Sequence, residues 1–139
     1  MSDDIRRRAA SIFTANHALS LATTGGAHSP WVLGTYFAEQ DLKLFTFLEA
    51  SGKSIENLRL DPRVAFLVSQ NDAMKDFLQG QGRAHLLESQ EEPRIRALLE
   101  AKMPWFKTYT PVVPIRIDIQ ELFVSSFELG WFPARHIAL

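Results

Sequence analysis

The pattern of apolar positions predicts three helices and a series of short strands joined by tight turns. Apolar residues recur at helical spacing in residues 3–16, 51–60 and 90–103. Other segments are rich in β-branched and aromatic residues, or alternate between apolar and polar side chains, as strands do. They are residues 18–24, 31–37, 42–48, 63–69, 76–88, 113–119 and 121–129. Strands that follow one another through short turns indicate an antiparallel sheet or barrel rather than βαβ units.

Three features of this pattern lead to specific structural predictions. Gly80 and Gly82 fall inside a long predicted strand, which indicates a bulge, a barrel bend or a close backbone approach. The alternating isoleucines of residues 113–119 predict a half-buried strand, and we expect residues 121–129 to be its hairpin partner. Residues 130–139 are aromatic and interrupted by proline, so we expect an irregular tail.

Composition places the chain among globular proteins of one domain, residues 1–139. Of its 139 residues, 46% are apolar and 22% charged, and none is cysteine, which excludes disulfides, thiolate nucleophiles and cysteine metal sites. Lys and Arg total 15 against 16 Asp and Glu, so no basic field attracts nucleic acid. The start, MSDDIRRRAA, precedes no apolar run, and no segment approaches the roughly 20 apolar residues that span a bilayer. We therefore expect a soluble cytoplasmic protein that binds neither nucleic acid nor membrane.

Residues 51–54, SGKS, repeat the second half of the phosphate-binding motif GxxxxGK[ST] between a predicted strand and a predicted helix. The first glycine of that motif would fall at Phe47, so the loop cannot wrap the phosphates of ATP or GTP in that manner. A lysine in the first turn of a helix is unfavourable by about 0.3–1 kcal/mol unless an anion lies nearby. The segment indicates either a phosphate contact through Lys53, Ser51 and Ser54, or a solvated lysine with Ser51 as a helix cap.

The sequence does not decide between the possible roles of the other candidate residues. The histidines are not spaced as metal ligands, although haem needs only one axial histidine; they are His17, His28, His85 and His136. The arginine triplet 6–8 indicates either phosphate or membrane contact, or a solvated helix face. The tryptophans are expected in the core or stacked on a flat ligand; they are Trp31, Trp105 and Trp131. No GxSxG nucleophile motif is present.

Four stretches taken in order are similar to one known family. They are SPWVLGTYF (29–37), LFTFLEASGKS (44–54), IENLRLDPRVAFLV (55–68) and FLQGQGRAHLL (77–87). Over residues 18–129 the chain resembles the FMN-binding split-barrel family, the pyridoxamine 5'-phosphate oxidase-like proteins. The resemblance implies a mainly β fold with flanking helices, an antiparallel split β-barrel of Greek-key type. It also implies an FMN-dependent oxidoreductase, and a homodimer with the flavin between the subunits.

The resemblance assigns one group of residues to the phosphate end of FMN. Lys53 and Ser51 match the family's phosphate-binding lysine and serine, in the segment where Ser54 is a further candidate. Phe45 and Thr46 match an aromatic-threonine pair beside the ribityl chain and the phosphate. The SGKS segment is therefore expected to hold a flavin phosphate.

A second group is assigned to the isoalloxazine ring. Val32, Leu33 and Gly34 match a strand whose backbone lines the ring, and Thr35 falls where the oxidase has a lysine. Gln79 resembles a glutamine on the fifth strand of short bacterial members. A flavin needs such a flat wall, a few backbone hydrogen bonds and one phosphate anchor.

The chain also departs from the oxidase at several positions. Pro30 and Gly52 stand where the oxidase has arginines, so the phosphate site is less charged. Residues 130–139 do not match its C-terminal substrate-binding segment, so oxidation of pyridoxamine phosphate is not supported and the substrate stays open. Haem or a deazaflavin in place of FMN, or a non-enzymatic dimeric binding protein on the same fold, are the alternatives.

Overall fold

Seven strands and three α-helices make up the part of the chain that the computed structural model describes, residues 2–139. The helices are α1 (Ser2–Ala15), α2 (Lys53–Leu60) and α3 (Glu92–Lys102), the last preceded by a 3₁₀ turn at Ser89–Glu91. The strands are β1 (Ala18–Thr23), β2 (Trp31–Gln40), β3 (Lys43–Glu49), β4 (Arg63–Val68), β5 (Phe77–Leu86), β6 (Val112–Ser126) and β7 (Trp131–Ala138).

Six of these strands close into a barrel. Neighbours pair in the order β3-β2-β1-β4-β5-β6, and β6 pairs back with β3, always antiparallel. Strand β7 pairs with the second half of β6, beyond the segment that β3 occupies. The predicted fold class, a mainly β antiparallel barrel with flanking helices, is confirmed.

Strand β2 pairs with two neighbours in succession. Residues 31–36 pair with β1, and residues 37–40 pair with β3. Among the residues that the structure describes, no strand pairs with residues 31–36 on the side away from β1. Residues 47–49 of β3 pair only with β6. The barrel wall is therefore split between the first half of β2 and the end of β3.

Aliphatic and aromatic side chains fill the barrel, and a helix covers each end. Burying each of these large side chains stabilises the fold by about 1.5–3 kcal/mol. Fully buried examples from the strands are Leu21, Phe37, Leu44, Leu78, Ile115, Ile117 and Leu122. The predicted stripe of α1 is buried against them and comprises Ile5, Ala9, Ile12 and Phe13. From α2, Ile55 and Leu58 join the same core, while α3 packs outside the barrel over β3.

The predicted hairpin between residues 113–119 and 121–129 is wrong. The first segment and residues 121–126 of the second belong to β6, which runs without a turn from Val112 to Ser126, and residues 127–129 lie in the turn that follows. Ile119 and Leu122 are both buried in the core, so the alternation changes phase between them, where the ladder with β5 shifts register. A bulge of this kind adds a residue to one strand and looks like a turn in the sequence. Residues 130–139 are correspondingly not an irregular tail, because most of them form β7.

The two glycines of β5 occupy the crowded side of this bulge. A Cβ on Gly82 would overlap the backbone carbonyl of Asp118, and one on Gly80 would overlap the ring of Phe66. The register shift falls between Gln81 and Gly82. The close backbone approach and the bulge predicted from these glycines are therefore confirmed.

Lys102 at the end of α3 ties three elements together. Its Nζ donates to the backbone carbonyls of Phe13 (3.0 Å), Asn16 (2.6 Å) and Phe37 (3.2 Å). The last turn of α1 contains no basic residue, so Lys102 supplies the cation that its free carbonyls favour. Burial lowers the pKa of Lys102 to about 8. Lys102 thus links α1, β2 and α3.

Two arginines of the triplet in α1 pair with carboxylates at the surface. Arg7 contacts Asp4, and Arg8 contacts Asp76 at 2.8 Å. This is the arrangement of a solvated helix face. Within residues 2–139, no helix combines the length and the apolarity needed to cross a bilayer.

Candidate functional site

A cleft of about 470 Å³ opens where the barrel wall is split. Gly34 and Thr35 of β2 line one side, and Phe47 and Glu49 of β3 line another. The loop of residues 106–110, between α3 and β6, forms the third side. We call this the split cleft.

The backbone of β2 faces the split cleft with an open edge. The N–H of Phe37 donates to the carbonyl of His17 at 3.1 Å, towards the β1 side. Backbone groups of successive strand residues point in alternate directions, so those of Tyr36, Gly34 and Val32 point away from β1. The hydroxyl of Thr46 accordingly reaches the Tyr36 carbonyl from the β3 side at 2.6 Å. The backbone groups of Gly34 and Val32 therefore point into the gap, where no strand pairs with them.

The space beside the Gly34 Cα, where a side chain would stand, is not filled by any part of the described chain. A Cβ built there would meet a single atom within 4 Å, the Leu19 carbonyl oxygen at 3.9 Å. Glycine inside a strand weakens it and often marks a site where a ligand approaches the backbone. Neither crowding nor a left-handed backbone demands glycine here, so the side of β2 that faces the cleft is open at Gly34.

Two threonine hydroxyls meet beside this edge. Thr46 is fully buried and uses its proton on the Tyr36 carbonyl, so Thr35 donates to the Thr46 oxygen at 2.8 Å. Neither hydroxyl then has a proton left for a ligand, but the oxygen of the half-buried Thr35 still accepts. Thr35 therefore offers an acceptor to the split cleft, and Thr46 holds it in place.

The SGKS turn joins β3 to α2 at the same end of the barrel. Gly52 is the N-cap of α2, in extended conformation, and none of the described side chains caps the helix. The Ser51 hydroxyl instead donates to the Glu49 carboxylate at 3.3 Å. The interpretation of Ser51 as the helix cap is therefore wrong. The first-turn N–H groups of α2 are left without a side-chain acceptor, as at anion-binding helix ends.

Two further side chains of this turn lack partners within the described part of the chain. Lys53, the first residue of α2, is half-buried and has no carboxylate within 4 Å. The hydroxyl of Ser54 is buried, with the residue 1% exposed, and lacks a hydrogen bond. A buried hydroxyl without a partner costs about 1–3 kcal/mol, and this cost falls in the first turn of α2.

The loop over the split cleft was missed by sequence reasoning. Phe106 stacks on Phe47 with 5.9 Å between ring centroids, and Arg96 donates to Thr108 at 3.1 Å. These contacts hold the loop while Tyr109 stays 88% exposed beside the cleft. The segment has no helical or strand periodicity. Its run of aromatic and threonine residues after a helix was the one available signal.

Several residues implied by the resemblance lie outside the cleft. Phe45 is buried under α3, with the Arg94 guanidinium 5.6 Å above its ring. Leu33 packs against the barrel core, and Val32 points outward with 64% exposure. The structure thus places Gly34 and Thr35 at the split cleft and connects the SGKS turn to it through Glu49, which contacts Ser51. The side chains of Phe45, Leu33 and Val32 face elsewhere.

Gln79 lies on the outer face of the barrel, in a row of residues that crosses six strands, and it is three strands away from Gly34. Direct strand partners make up this row: Gly34, Ser20, Leu67, Gln79, Phe123 and His136. Strands lie about 4.8 Å apart, so Gln79 is roughly 14 Å from Gly34. Gln79 and Val32 line a second hollow of about 530 Å³, which we call the outer groove. Within one chain, therefore, Gln79 and Gly34 do not contact the same part of a ligand.

Titratable side chains near the barrel form pairs rather than metal sites. His85 contacts Asp118 at 3.0 Å, and Arg116 contacts the same carboxylate at 2.9 Å. The neighbouring Arg116 lowers the pKa of Asp118 against the opposing effect of burial. Across residues 2–139, no three histidine or acidic side chains converge to hold a metal ion.

Comparison with known proteins gives matches in structure but not in sequence. The sequence matches no family model and no curated protein. A candidate pyridoxamine 5'-phosphate oxidase from Listeria innocua superposes with a TM-score of 0.71 at 21% identity, over 86% of this chain and 97% of its own.

Two further solved structures share the fold. A candidate 5-nitroimidazole antibiotic resistance protein from Bacteroides thetaiotaomicron has a TM-score of 0.68 at 16% identity, over 84% of this chain and 80% of its own. HutZ, a haem storage protein from Vibrio cholerae, has a TM-score of 0.70 at 18% identity, over 85% and 92%. With the closed six-stranded barrel, these likenesses identify the chain as having the split-barrel fold of the pyridoxamine 5'-phosphate oxidase-like proteins.

Proposed function

We propose that the chain binds FMN in the split cleft and acts as an FMN-dependent oxidoreductase. The observation that supports this most directly is the open backbone edge of β2 at Val32 and Gly34, which faces a cleft beside the uncapped first turn of α2. A flavin combines a flat ring that takes backbone hydrogen bonds with a phosphate that suits a helix N-terminus. The donor set therefore fits FMN.

The phosphate would bind at the SGKS turn. Lys53 provides the charge, and the first-turn N–H groups of α2 provide directed hydrogen bonds. Pro30 and Gly52, which stand where the oxidase has arginines, carry no charge. Lys53 is therefore the one cationic side chain that the SGKS turn itself offers to the phosphate.

The ring would lie against Gly34, where no side chain intervenes. Tyr36 and Phe106 supply aromatic surface at the cleft, and Thr35 supplies an acceptor oxygen. Bound FMN supplies hydride or single-electron transfer, and the chain positions the ring and limits its contact with water. Among residues 2–139, no histidine lines the split cleft, so no side chain there is an obvious acid or base at neutral pH.

A homodimer would complete the site. The roughly 14 Å between Gly34 and Gln79 separates them within one chain, but a second copy packed on the outer face could bring its Gln79 to the ring. Apolar side chains are exposed on that face, including Val32 at 64% and Phe132 at 48%. Light scattering should give twice the mass of 15.7 kDa, and Val32→Asp should shift it towards the monomer. A monomeric wild-type protein would contradict this part of the proposal.

The test of FMN binding is a titration followed by gel filtration. We expect retained flavin absorbance, and an affinity about ten- to a hundredfold lower in Lys53→Met, because a charge-assisted hydrogen bond is lost. Lys75→Met is the matched control, since Lys75 is exposed in the loop before β5. If FMN does not stay with the protein, or if both variants bind it equally, the proposal is wrong. A parallel titration with a deazaflavin tests that alternative in the same cleft.

Haem binding is the second candidate, and one observation favours it. His136 stacks on Phe123, which lines the outer groove, with 4.6 Å between ring centroids, and its side chain is 46% exposed. One such imidazole is enough for axial ligation. A Soret band that is lost in His136→Ala but kept in His28→Ala would support haem. Equal spectra for both variants would exclude His136 as the ligand.

A further inference from the structure

A carboxylate lies at the end of the split cleft where the flavin phosphate is proposed to bind. Glu49 is the last residue of β3, it is exposed, and it lines the cleft. It accepts a hydrogen bond from the Ser51 hydroxyl at 3.3 Å. The serine that the family resemblance assigns to the phosphate is therefore engaged by a negative charge of the protein itself.

The charges around this end of the cleft cancel. Lys53 begins α2 and Lys107 lines the cleft, while Glu49 lines the cleft and Glu56 lies in the first turn of α2. Two cations and two anions give a formal charge of zero. Glu49 has no cationic side chain within 4 Å in residues 2–139, so its charge is not neutralised by direct contact. A phosphate monoester carries about −1.5 to −2 charges at neutral pH and gains little from such surroundings.

We propose that Glu49 sets the charge selectivity of the split cleft, so that an uncharged flavin such as riboflavin binds nearly as well as FMN. This inference rests on the proposed flavin site. In water-like surroundings, a dianion held about 6 Å from one carboxylate is bound about tenfold more weakly than beside a neutral group. Riboflavin, which has no phosphate, does not gain from removal of the Glu49 charge.

The experiment compares FMN and riboflavin in the full chain. Both are titrated at low ionic strength into the wild type, Glu49→Gln and Glu100→Gln, with flavin fluorescence quenching as the readout. Glu100 is exposed on α3, outside the cleft, so its variant controls for net protein charge. In Glu49→Gln we expect FMN affinity to rise about tenfold and riboflavin affinity to change less than about twofold. The gain for FMN should shrink at high salt, because ions screen the exposed carboxylate.

Each result bears on one proposal or the other. If FMN and riboflavin bind but their affinity ratio is the same in the wild type and Glu49→Gln, the role of Glu49 is overturned and the flavin site stands. Weaker FMN binding in Glu49→Gln would overturn it too, because the carboxylate would then hold the cofactor. If no protein binds either flavin, the flavin site itself fails. Unchanged melting curves for both variants verify that the folds being compared are intact.

Discussion

Replacing Gly34 by valine should strengthen the fold and weaken ligand binding at the same time. The new Cβ would have only the Leu19 carbonyl oxygen within 4 Å, at 3.9 Å, which is an ordinary van der Waals contact. Glycine within a strand costs about 0.5–1 kcal/mol relative to alanine, and valine favours strands further. We expect the free energy of unfolding to rise by about 0.5–1.5 kcal/mol, which raises Tm by roughly 2–5 °C for a chain of this length.

The same side chain would occupy the space in which the flavin ring is proposed to lie. Forcing extra methyl groups into a filled site costs about 1–3 kcal/mol, or roughly a five- to 150-fold loss of FMN affinity. Ser20→Val is the matched control, because Ser20 is the direct partner of Gly34 on β1 and lines the outer groove instead of the cleft. Calorimetric melting and fluorescence titration measure the two effects separately.

Three results would refute this reasoning. Unchanged FMN affinity in Gly34→Val would mean that the flavin does not lie on Gly34. A loss of stability greater than about 1 kcal/mol would mean that another surface, such as a partner subunit, already packs against this residue. A loss of affinity in Ser20→Val as large as in Gly34→Val would place the ligand in the outer groove.

Three further changes test the fold that holds the site. Gly82→Ala should destabilise by about 1–3 kcal/mol because the new methyl group overlaps the Asp118 carbonyl, and a chemical denaturation curve should show it. Asn57→Ala should cost about 1–3 kcal/mol, since the buried amide donates to Thr23 and accepts from the backbone of the β1–β2 loop; urea unfolding measures it. Lys102→Met should destabilise near pH 7, because three carbonyls lose their donor. Burial lowers the pKa of Lys102 from 10.5 to about 8, so the unfolded chain holds this proton more tightly. Wild-type stability, measured relative to Lys102→Met, should therefore rise between about pH 8 and 10.5, and a falling difference would contradict this assignment.

Much of the fold could be predicted from the sequence, because burial follows local periodicity. The helical spacing of Ile5, Ala9 and Ile12 identified the buried side of α1. Gly82 indicated the bulge, since glycine weakens a strand and is usually found there at a bulge, a bend or a close backbone approach. The prediction failed at β6, where the bulge changes the phase of alternation between Ile119 and Leu122. A phase change and a turn give the same local pattern, and only pairing with β5 distinguishes them.

The candidate site was predicted only in part, because a sequence motif does not show which way a side chain points. Phe45 and Thr46 are neighbours on β3, yet strand geometry directs them to opposite faces, and Phe45 is buried under α3. The position of Glu49 beside Ser51 depends on the turn after β3. Tyr109 reaches the cleft only because α3 and β6 hold its loop there. These relations arise from tertiary packing and have no periodic signal.

Closure of the barrel by β3 and β6 has a consequence for synthesis of the chain. Residues 43–46 find their second neighbour, and residues 47–49 their only one, in residues 112–118. Strand β3 therefore has an open edge while the chain between them is made. Strand β5 also lacks its second neighbour until β6 has been made. Exposed strand edges pair readily with other chains, and contacts between distant segments form slowly. If synthesis stops before residue 112, the nascent chain therefore exposes two unpaired strand edges, one on β3 and one on β5. Chaperones would have to cover both edges to prevent pairing with other chains.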